Sequence, residues 1–346
     1  MAVQGIEVGP VTTWFEANVP SVRPPLSFSL IASGRSNLTF AVHDAEDSRW
    51  ILRRPPLSHV LPTAHDMARE YRVISALGPT AVPVPDTFGL CEDLSVTGSP
   101  FYVMELVEGH IMRKTEQVEK QFAQPERRRI GDNLATTLAL LHATDVDAVG
   151  LGKFGRREGY IERQVRRWSE QVKTMTEGRD AFAGTIARIA ETLTARVPAQ
   201  QGVAIVHGDY RLDNTVVGDD GEVRAVLDWE ISTLGDPLAD VGLLMVFWNE
   251  PSDIVPISGI TAPSAPGMAS RTDLLERYAA ASGRDLSDIG YYTAFGYWKL
   301  GCILQGVYAR YKAGATAGDP MTVDDMPTSI GHLFEMAAKA LREDAP

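Results

Sequence analysis

The sequence predicts an α+β chain of two lobes, a small antiparallel-sheet lobe at residues 1–107 and a larger helical lobe at 108–346. Three observations carry that division. Strand-like apolar runs crowd the first part, helix-like spacing dominates the second, and a short hairpin signal flanked by Asp and Asn interrupts the helices.

The 346 residues, 44% of them hydrophobic, are enough for one large domain or two lobes. A formal net charge of −12 argues against a nucleic-acid surface, which needs excess Lys and Arg to neutralise phosphates. The charge is compatible with a neutral or cationic small substrate, although solubility alone accounts for it. Cys91 and Cys302 offer neither a disulfide framework nor metal spacing, which suits a reducing cytoplasmic setting. The start, Met1 to Trp14, carries Glu7 and lacks a long apolar core, so it does not read as a signal peptide. No apolar run approaches the roughly 18 residues that would suggest a membrane span. Nothing in the pattern speaks to oligomeric state.

Residues 1–25 show little periodicity and are expected to be a short lead-in packed on the first lobe. Strands follow at Leu26–Ala32, Leu38–His43 and Arg49–Arg53. Ser33-Gly34-Arg35-Ser36-Asn37 forms a small-residue turn between the first two. Such a turn can set backbone N–H groups and hydroxyls against phosphate oxygens, but by itself it reads as an ordinary hairpin turn. Arg53 and Arg54 end the third strand; alternation sends them to opposite faces, so only one can point into a cleft. Thr63–Leu77 carries Met67, Tyr71, Ile74 and Leu77 on one helical stripe, with Glu70 beside it and Gly78-Pro79 as the stop. Taken alone, Glu70 is a solvated residue of an amphipathic helix. Thr87–Cys91 is a further strand, and Phe101–Gly109 an apolar strand ending in a Glu/Gly break.

Helices are expected next at Gln124–Thr144, Tyr160–Thr176 and Ala181–Arg196. His142 reads as a core or capping histidine, and Arg163, Arg166 and Arg167 as a solvated face and only secondarily an anion site. Thr215–Val217 and Val223–Leu227 flank Gly218-Asp219-Asp220-Gly221, a hairpin that would fold Asp228 back beside Asn214. Leu238–Trp248, Arg271–Ala281, Ile289–Lys312 and Ser329–Arg342 complete the helices. Between them, Asn249–Ser270 is rich in Pro, Ser and Gly, long for a plain loop, and reads as a substrate lid or a disordered segment. Tyr291, Tyr292, Trp298, Tyr308 and Tyr311 read first as packing residues.

The most specific stretch is Val206-His207-Gly208-Asp209-Tyr210-Arg211-Leu212-Asp213-Asn214, followed after the hairpin by Asp228-Trp229-Glu230. Phosphoryl transfer needs positioning and charge neutralisation more than covalent chemistry. Asp209 can accept the proton of an acceptor hydroxyl and orient its oxygen. Asn214 supplies a neutral oxygen and Asp228 a charged one, hard ligands suited to Mg²⁺ bridging nucleotide phosphates. His207 would buttress the loop. A metal-dependent hydrolase using His207, Asp209 and Asp228 as direct ligands is a rival, disfavoured by the lack of a second His-rich cluster.

His-Gly-Asp-x-x-x-x-Asn resembles the aminoglycoside phosphotransferase-like family, with Gly where protein kinases have Arg. Leu141-His142 and Leu234-Gly235-Asp236-Pro237-Leu238-Ala239-Asp240 agree with it in order, so the resemblance spans roughly residues 30 to 310. The Leu-Arg-Arg-Pro-Pro run and Asp228-Trp229-Glu230 look most like the subgroup related to the kinase-like portion of acyl-CoA-dehydrogenase-associated proteins. The resemblance implies a two-lobed protein-kinase-like fold, use of ATP (or GTP) and Mg²⁺, and a hydroxylated small molecule or hydroxyacyl thioester as acceptor. It assigns Ser33, Gly34, Ser36 and Asn37 to the phosphate loop, Arg53 to the phosphate-pairing position usually held by Lys, with Arg54 as competitor, and Glu70 to its ion-pair partner. Glu105 to Val107 would form the adenine-binding hinge, with a buried strand as the alternative. Asp240 would brace the catalytic loop, and C-terminal helices would build the acceptor pocket. A non-catalytic nucleotide-binding module is the competing reading within this fold; an antibiotic-resistance enzyme is a narrower one.

Overall fold

The computed structural model describes residues 3–33, 37–57, 66–177, 181–251, 253, 259–312 and 325–343. Its first half is built on an antiparallel sheet of β1 (Ser27–Ser33), β2 (Leu38–His43), β3 (Arg49–Arg54), β4 (Thr87–Cys91) and β5 (Phe101–Glu105), in the order β1-β2-β3-β5-β4. Residues 50–54 of β3 are all buried because both faces of the sheet are covered. Trp50 and Leu52 face a cluster containing Val11 and Phe15, whereas Ile51 shares a cluster with Met67, Val73, Ile74 and Leu77.

The first cluster exposes a difference from the sequence expectation. Residues 8–18 are a helix, α1 (Val8–Asn18), rather than a patternless lead-in. Its apolar face is only Val11 and Phe15, one turn apart, too short a stripe to stand out as periodicity. Pro10 sits in the first turn, where a missing N–H costs nothing. Trp14 meets Phe101 edge-on with centroids 4.9 Å apart, and Phe15 meets Trp50 at 6.0 Å. On the opposite face lies α2 (Met67–Leu77), whose N-cap Asp66 accepts the Arg69 N–H at 2.9 Å.

After α3 (Leu94–Thr97), β5 stops at Glu105 instead of running to Gly109. The chain turns there onto the hairpin of β7 (Thr215–Val217) and β8 (Val223–Val226), where His110 and Val217 exchange backbone hydrogen bonds of 2.8 and 2.9 Å. Gly109 makes that approach possible. Its φ is +146°, and a Cβ there would lie 2.7 Å from the Val217 carbonyl oxygen.

The larger part consists of α4 (Thr115–Gln121), α5 (Arg127–Ala143), α6 (Tyr160–Met175), α7 (Ala183–Ala195), α8 (Leu238–Phe247), α9 (Arg271–Ser282), α10 (Ile289–Lys312) and α11 (Met326–Glu343). All ten residues of α8 are buried, apolar apart from Asp240, and Gly242 lets it press against the Tyr292 backbone. A second strand pair, β6 (Ala204–Val206) with β9 (Thr233–Gly235), brackets the polar motif from both sides. Of the 249–270 stretch, residues 259–270 do not form a free loop: Ile260, Ala262, Ala265 and Ala269 are buried, and the Trp248 indole donates to the Ala269 carbonyl at 2.9 Å. Residues 252 and 254–258 lie outside the described residues. No helix among the described residues is long and apolar enough to cross a membrane.

Candidate active site

Strand β6 delivers His207, Gly208 and Asp209 into a loop held from below by Asp240 of α8. The Asp240 carboxylate is buried and accepts the His207 N–H at 2.6 Å and the Gly208 N–H at 2.8 Å. Burial pushes its pKa up, but His142, His207 and the backbone donor of Gly208 more than offset this and leave it below the usual range. Gly208 needs its φ of +85° to present that N–H, a conformation other residues rarely adopt. His142 of α5 completes the brace: one ring nitrogen lies 3.3 Å from Asp240 and the other 2.8 Å from the Tyr278 hydroxyl. Burial keeps its pKa low.

His207 ties the loop to the hairpin. Its Nδ1 accepts the Asp209 N–H at 3.2 Å, which leaves Nε2 as the protonated atom donating to the Leu227 carbonyl at 2.9 Å. Both ring nitrogens are thereby used, and neither is left for a metal. Leu227 in turn donates its N–H to the Asn214 carbonyl at 2.8 Å. The hairpin therefore returns Asp228 to Asn214, with Asp228 in the left-handed region at φ 67°.

The Asn214 amide donates to the Asp209 carbonyl and to Asp209 Oδ2, both at 2.9 Å. Its own oxygen remains an acceptor. Asp209 has a 27% exposed side chain, with Arg211 Nε at 3.4 Å. Desolvation raises its pKa; Arg211, His207 and Lys299 oppose the rise, and Asp228 adds to it. Arg211 also approaches Asp213 at 3.3 Å and lies over the Phe247 ring at 4.8 Å.

From the sheet side, Arg53 reaches across to Asp228 Oδ1 at 2.5 Å and to Glu70 Oε2 at 3.4 Å. Burial alone would lower the Arg53 pKa, but Tyr102, Glu70 and Asp228 raise it. Arg54 points to the other face, onto the carbonyls of Gly5 and Thr97, as strand alternation requires once Arg53 faces Glu70 and Asp228. Glu70 is 0% exposed, not a solvated residue, and accepts from the Tyr102 hydroxyl at 2.9 Å and the Asn37 amide at 2.8 Å. Its pKa is raised by burial, against the pull of Arg53. Asn37 also donates to Glu230 at 3.2 Å, joining β2 to the segment after Asp228. Gly34, Ser36 and the side chain of Ser33 lie outside the described residues. At the expected hinge, the Glu105 N–H is already taken by the Asp86 carbonyl at 2.8 Å, while Val107 has no backbone partner among the described residues.

Asp209 opens into a cavity of about 590 Å³. Leu243, Phe247, Leu300 and Ile303 give it apolar walls, and Arg167 and Lys299 place charge on them. Tyr291, Tyr292 and Trp298 are instead buried packing residues that hydrogen-bond to Leu193, Asp236 and Ile186. Sequence reasoning passed over Tyr102, Glu230 and Lys299. The available signal for Lys299 was a lone charge in the apolar run from Tyr291 to Val307. Tyr102 in an apolar strand gave none.

The donor set suits one kind of metal. No group of three His, Cys, Asp or Glu able to hold an ion occurs among the described residues. Asn214 and Asp228 together offer one neutral and one charged oxygen, a partial set that fits Mg²⁺, which takes one or two protein ligands and completes its shell with phosphates and water.

A sheet lobe and a helical lobe meeting at an Asp/Asn/Asp cluster define the kinase-like phosphotransferases. The phosphotransferase enzyme family model matches residues 27–286, and the chain belongs to that family. It is 34% identical over 295 residues to acyl-CoA dehydrogenase family member 10 of Mus musculus, an alignment covering 84% of this chain and 27% of that protein. It is 37% identical over 309 residues to the probable acyl-CoA dehydrogenase IBR3 of Arabidopsis thaliana, covering 84% of this chain and 37% of that one. The chain thus spans well under half the length of these relatives. A crystal structure of a putative aminoglycoside phosphotransferase from Ralstonia eutropha superposes with a TM-score of 0.82 at 30% identity, covering 96% of this chain and 98% of that one. The GDP and kanamycin complex of APH(2")-IIIa shares the fold, with a TM-score of 0.62 at 14% identity over 95% of this chain and 98% of that one.

Proposed function

We propose that the chain transfers the γ-phosphoryl group of ATP, or of GTP, to a hydroxyl of an amphiphilic small molecule. The observation that carries this is the meeting of Asp209, Asn214 and Asp228 with the Arg53–Glu70 pair, with Asp209 opening onto one cavity. Asp209 faces the cavity and serves as base and orienter for the acceptor hydroxyl. Arg53 carries a fixed positive charge to the phosphates, and Glu70, locked by Tyr102 and Asn37, sets its direction. Asn214 and Asp228 would hold Mg²⁺, which supplies charge neutralisation at the phosphates when bound.

The acceptor side favours an apolar body over a polycation. Leucine, isoleucine and phenylalanine walls, with Arg167, Arg211 and Lys299 beside the carboxylates of Glu230 and Asp325, suit an amphiphilic hydroxylated acyl chain, including a hydroxyacyl thioester, better than a polycationic aminoglycoside. The names of the curated relatives are compatible with that reading.

The test is acceptor-stimulated ATP consumption across a panel of hydroxyacyl thioesters, hydroxy acids and aminoglycosides, with wild type and Asp209→Asn. Wild type should respond to at least one acceptor, and the variant should lose about 10²- to 10⁴-fold in rate with ATP affinity retained. Because burial raises the Asp209 pKa, its carboxylate form works against folding at neutral pH, so the variant's Tm should hold or rise. Undiminished turnover in Asp209→Asn would overturn the assignment.

A further inference from the structure

Lys299 is the only charged side chain of α10 between Tyr291 and Val307. It is 4% exposed, and its Nζ donates to the carbonyl of Gly208, the residue before Asp209, at 3.0 Å. This is its one hydrogen bond among the described residues, so two of the three ammonium donors have no protein acceptor. A lysine kept only for packing would be better replaced by an aliphatic residue, because a buried charge short of partners is costly. Burial lowers its pKa; Asp209 on the loop and Asp240 on α8 support the charge, and Arg167 on α6 opposes it. The side chain lines the cavity beside Asp209, between Leu243 and Phe247 of α8 and Leu300 and Ile303 of its own helix.

We propose that Lys299 is a specificity-determining residue whose remaining N–H donors take up an oxygen acceptor, a carbonyl or carboxylate, standing a few bonds from the reacting hydroxyl of the acceptor. The proposal rests on the phosphotransfer reading given above. An ammonium flanked by Leu300 and Ile303 and next to the base discriminates by chemistry that the apolar part of the wall cannot supply. It rewards a hydroxy acid or ester over a diol of equal length, and it repels an amino alcohol. Its bond to Gly208 holds it at a fixed place relative to Asp209.

The test compares medium-chain hydroxycarboxylic acids and their methyl esters with diols and amino alcohols of the same length, at saturating ATP and Mg²⁺. Wild type should prefer the hydroxy acid or ester over the diol by about tenfold or more in kcat/KM, the scale of one hydrogen bond to a charged group. In Lys299→Met the ratio should collapse toward one, mainly through acceptor KM, with ATP affinity as the fold control. A purely structural lysine would lower all acceptors alike and leave the ratio standing, and that result would overturn the proposal, as would a wild type with no preference. Should Lys299→Met not fold, Lys299→Gln keeps a donor for Gly208 without the charge, and the same ratio decides. If no acceptor stimulates wild-type turnover, the phosphotransfer reading itself fails. The Lys299 proposal is then decided by calorimetric affinities of the hydroxy acid against the diol in wild type and variant, where an unchanged ratio counts against it.

Discussion

The two sides of the site are built on opposite principles. On the sheet side, Arg53, Glu70, Tyr102, Asn37 and Asp228 are linked side chain to side chain, so each is oriented by another polar group, with Asn37 Oδ1 and Arg53 Nε left without a hydrogen-bond partner. On the helical side, apolar side chains of α8 and α10 share the cavity wall with Arg167, Arg211 and Lys299. The first arrangement tolerates little change, since removing one member strands the others in a dry environment. The second can change residue by residue while the helices keep their packing. Under the proposed function, a fixed donor side and an adjustable acceptor side follow from that difference.

Substitutions on the two sides should therefore fail in different ways. The largest effect is expected for Asp228→Ala, which removes the charged oxygen and leaves Arg53 with Glu70 alone; kcat should fall by about 10³-fold, the scale of losing a preorganised electrostatic group. Steady-state kinetics with any active acceptor checks it, and a loss below tenfold would break the proposed division. Arg53→Met should cost about 10²-fold and appear largely in nucleotide KM, while Arg53→Lys recovers part of the loss because the charge returns without the planar fork. Ile303→Asp, on the cavity wall, should raise acceptor KM by roughly tenfold or more, as a charge is placed against the apolar acceptor, and leave nucleotide KM unchanged. A parallel rise in both constants would show that the two sides are not separable.

The smallest effect concerns pH. Burial raises the Asp209 pKa, so the active carboxylate is lost at a higher pH than for an ordinary aspartate as pH falls. Arg211 opposes that rise, and Arg211→Met should move the acid limb of kcat/KM further up. A limb that stays fixed or moves down would show that another group titrates there.

Asp209, Asn214 and Asp228 were legible in the sequence because they sit in a short pattern with fixed spacing. The hairpin from Thr215 to Leu227 announces itself through β-branched runs around Gly218–Gly221, and it brings Asp228 to Asn214 by local geometry alone. The helices with long apolar stripes were legible for the same reason. Less was visible where meaning depended on distant partners. The two-residue stripe of α1 has no force until Trp50 and Phe101 are beside it. Glu70 looks solvated on its helix until Tyr102 and Asn37 close over it. Lys299 looks like one charge in an apolar helix until the loop carbonyl of Gly208 arrives.

The sequence by itself determined the five strands of the first sheet, the catalytic-motif hairpin and the long helices, since these are written in periodicity and spacing along the chain. Tertiary structure alone decided which of Arg53 and Arg54 enters the site, which carboxylates are buried, and which helix faces enclose the cavity. Those outcomes depend on what lies across a gap from each side chain. A chain pattern records neighbours three or four residues away, whereas the Arg53–Asp228 pair spans 175 positions and Lys299 meets Gly208 across 91.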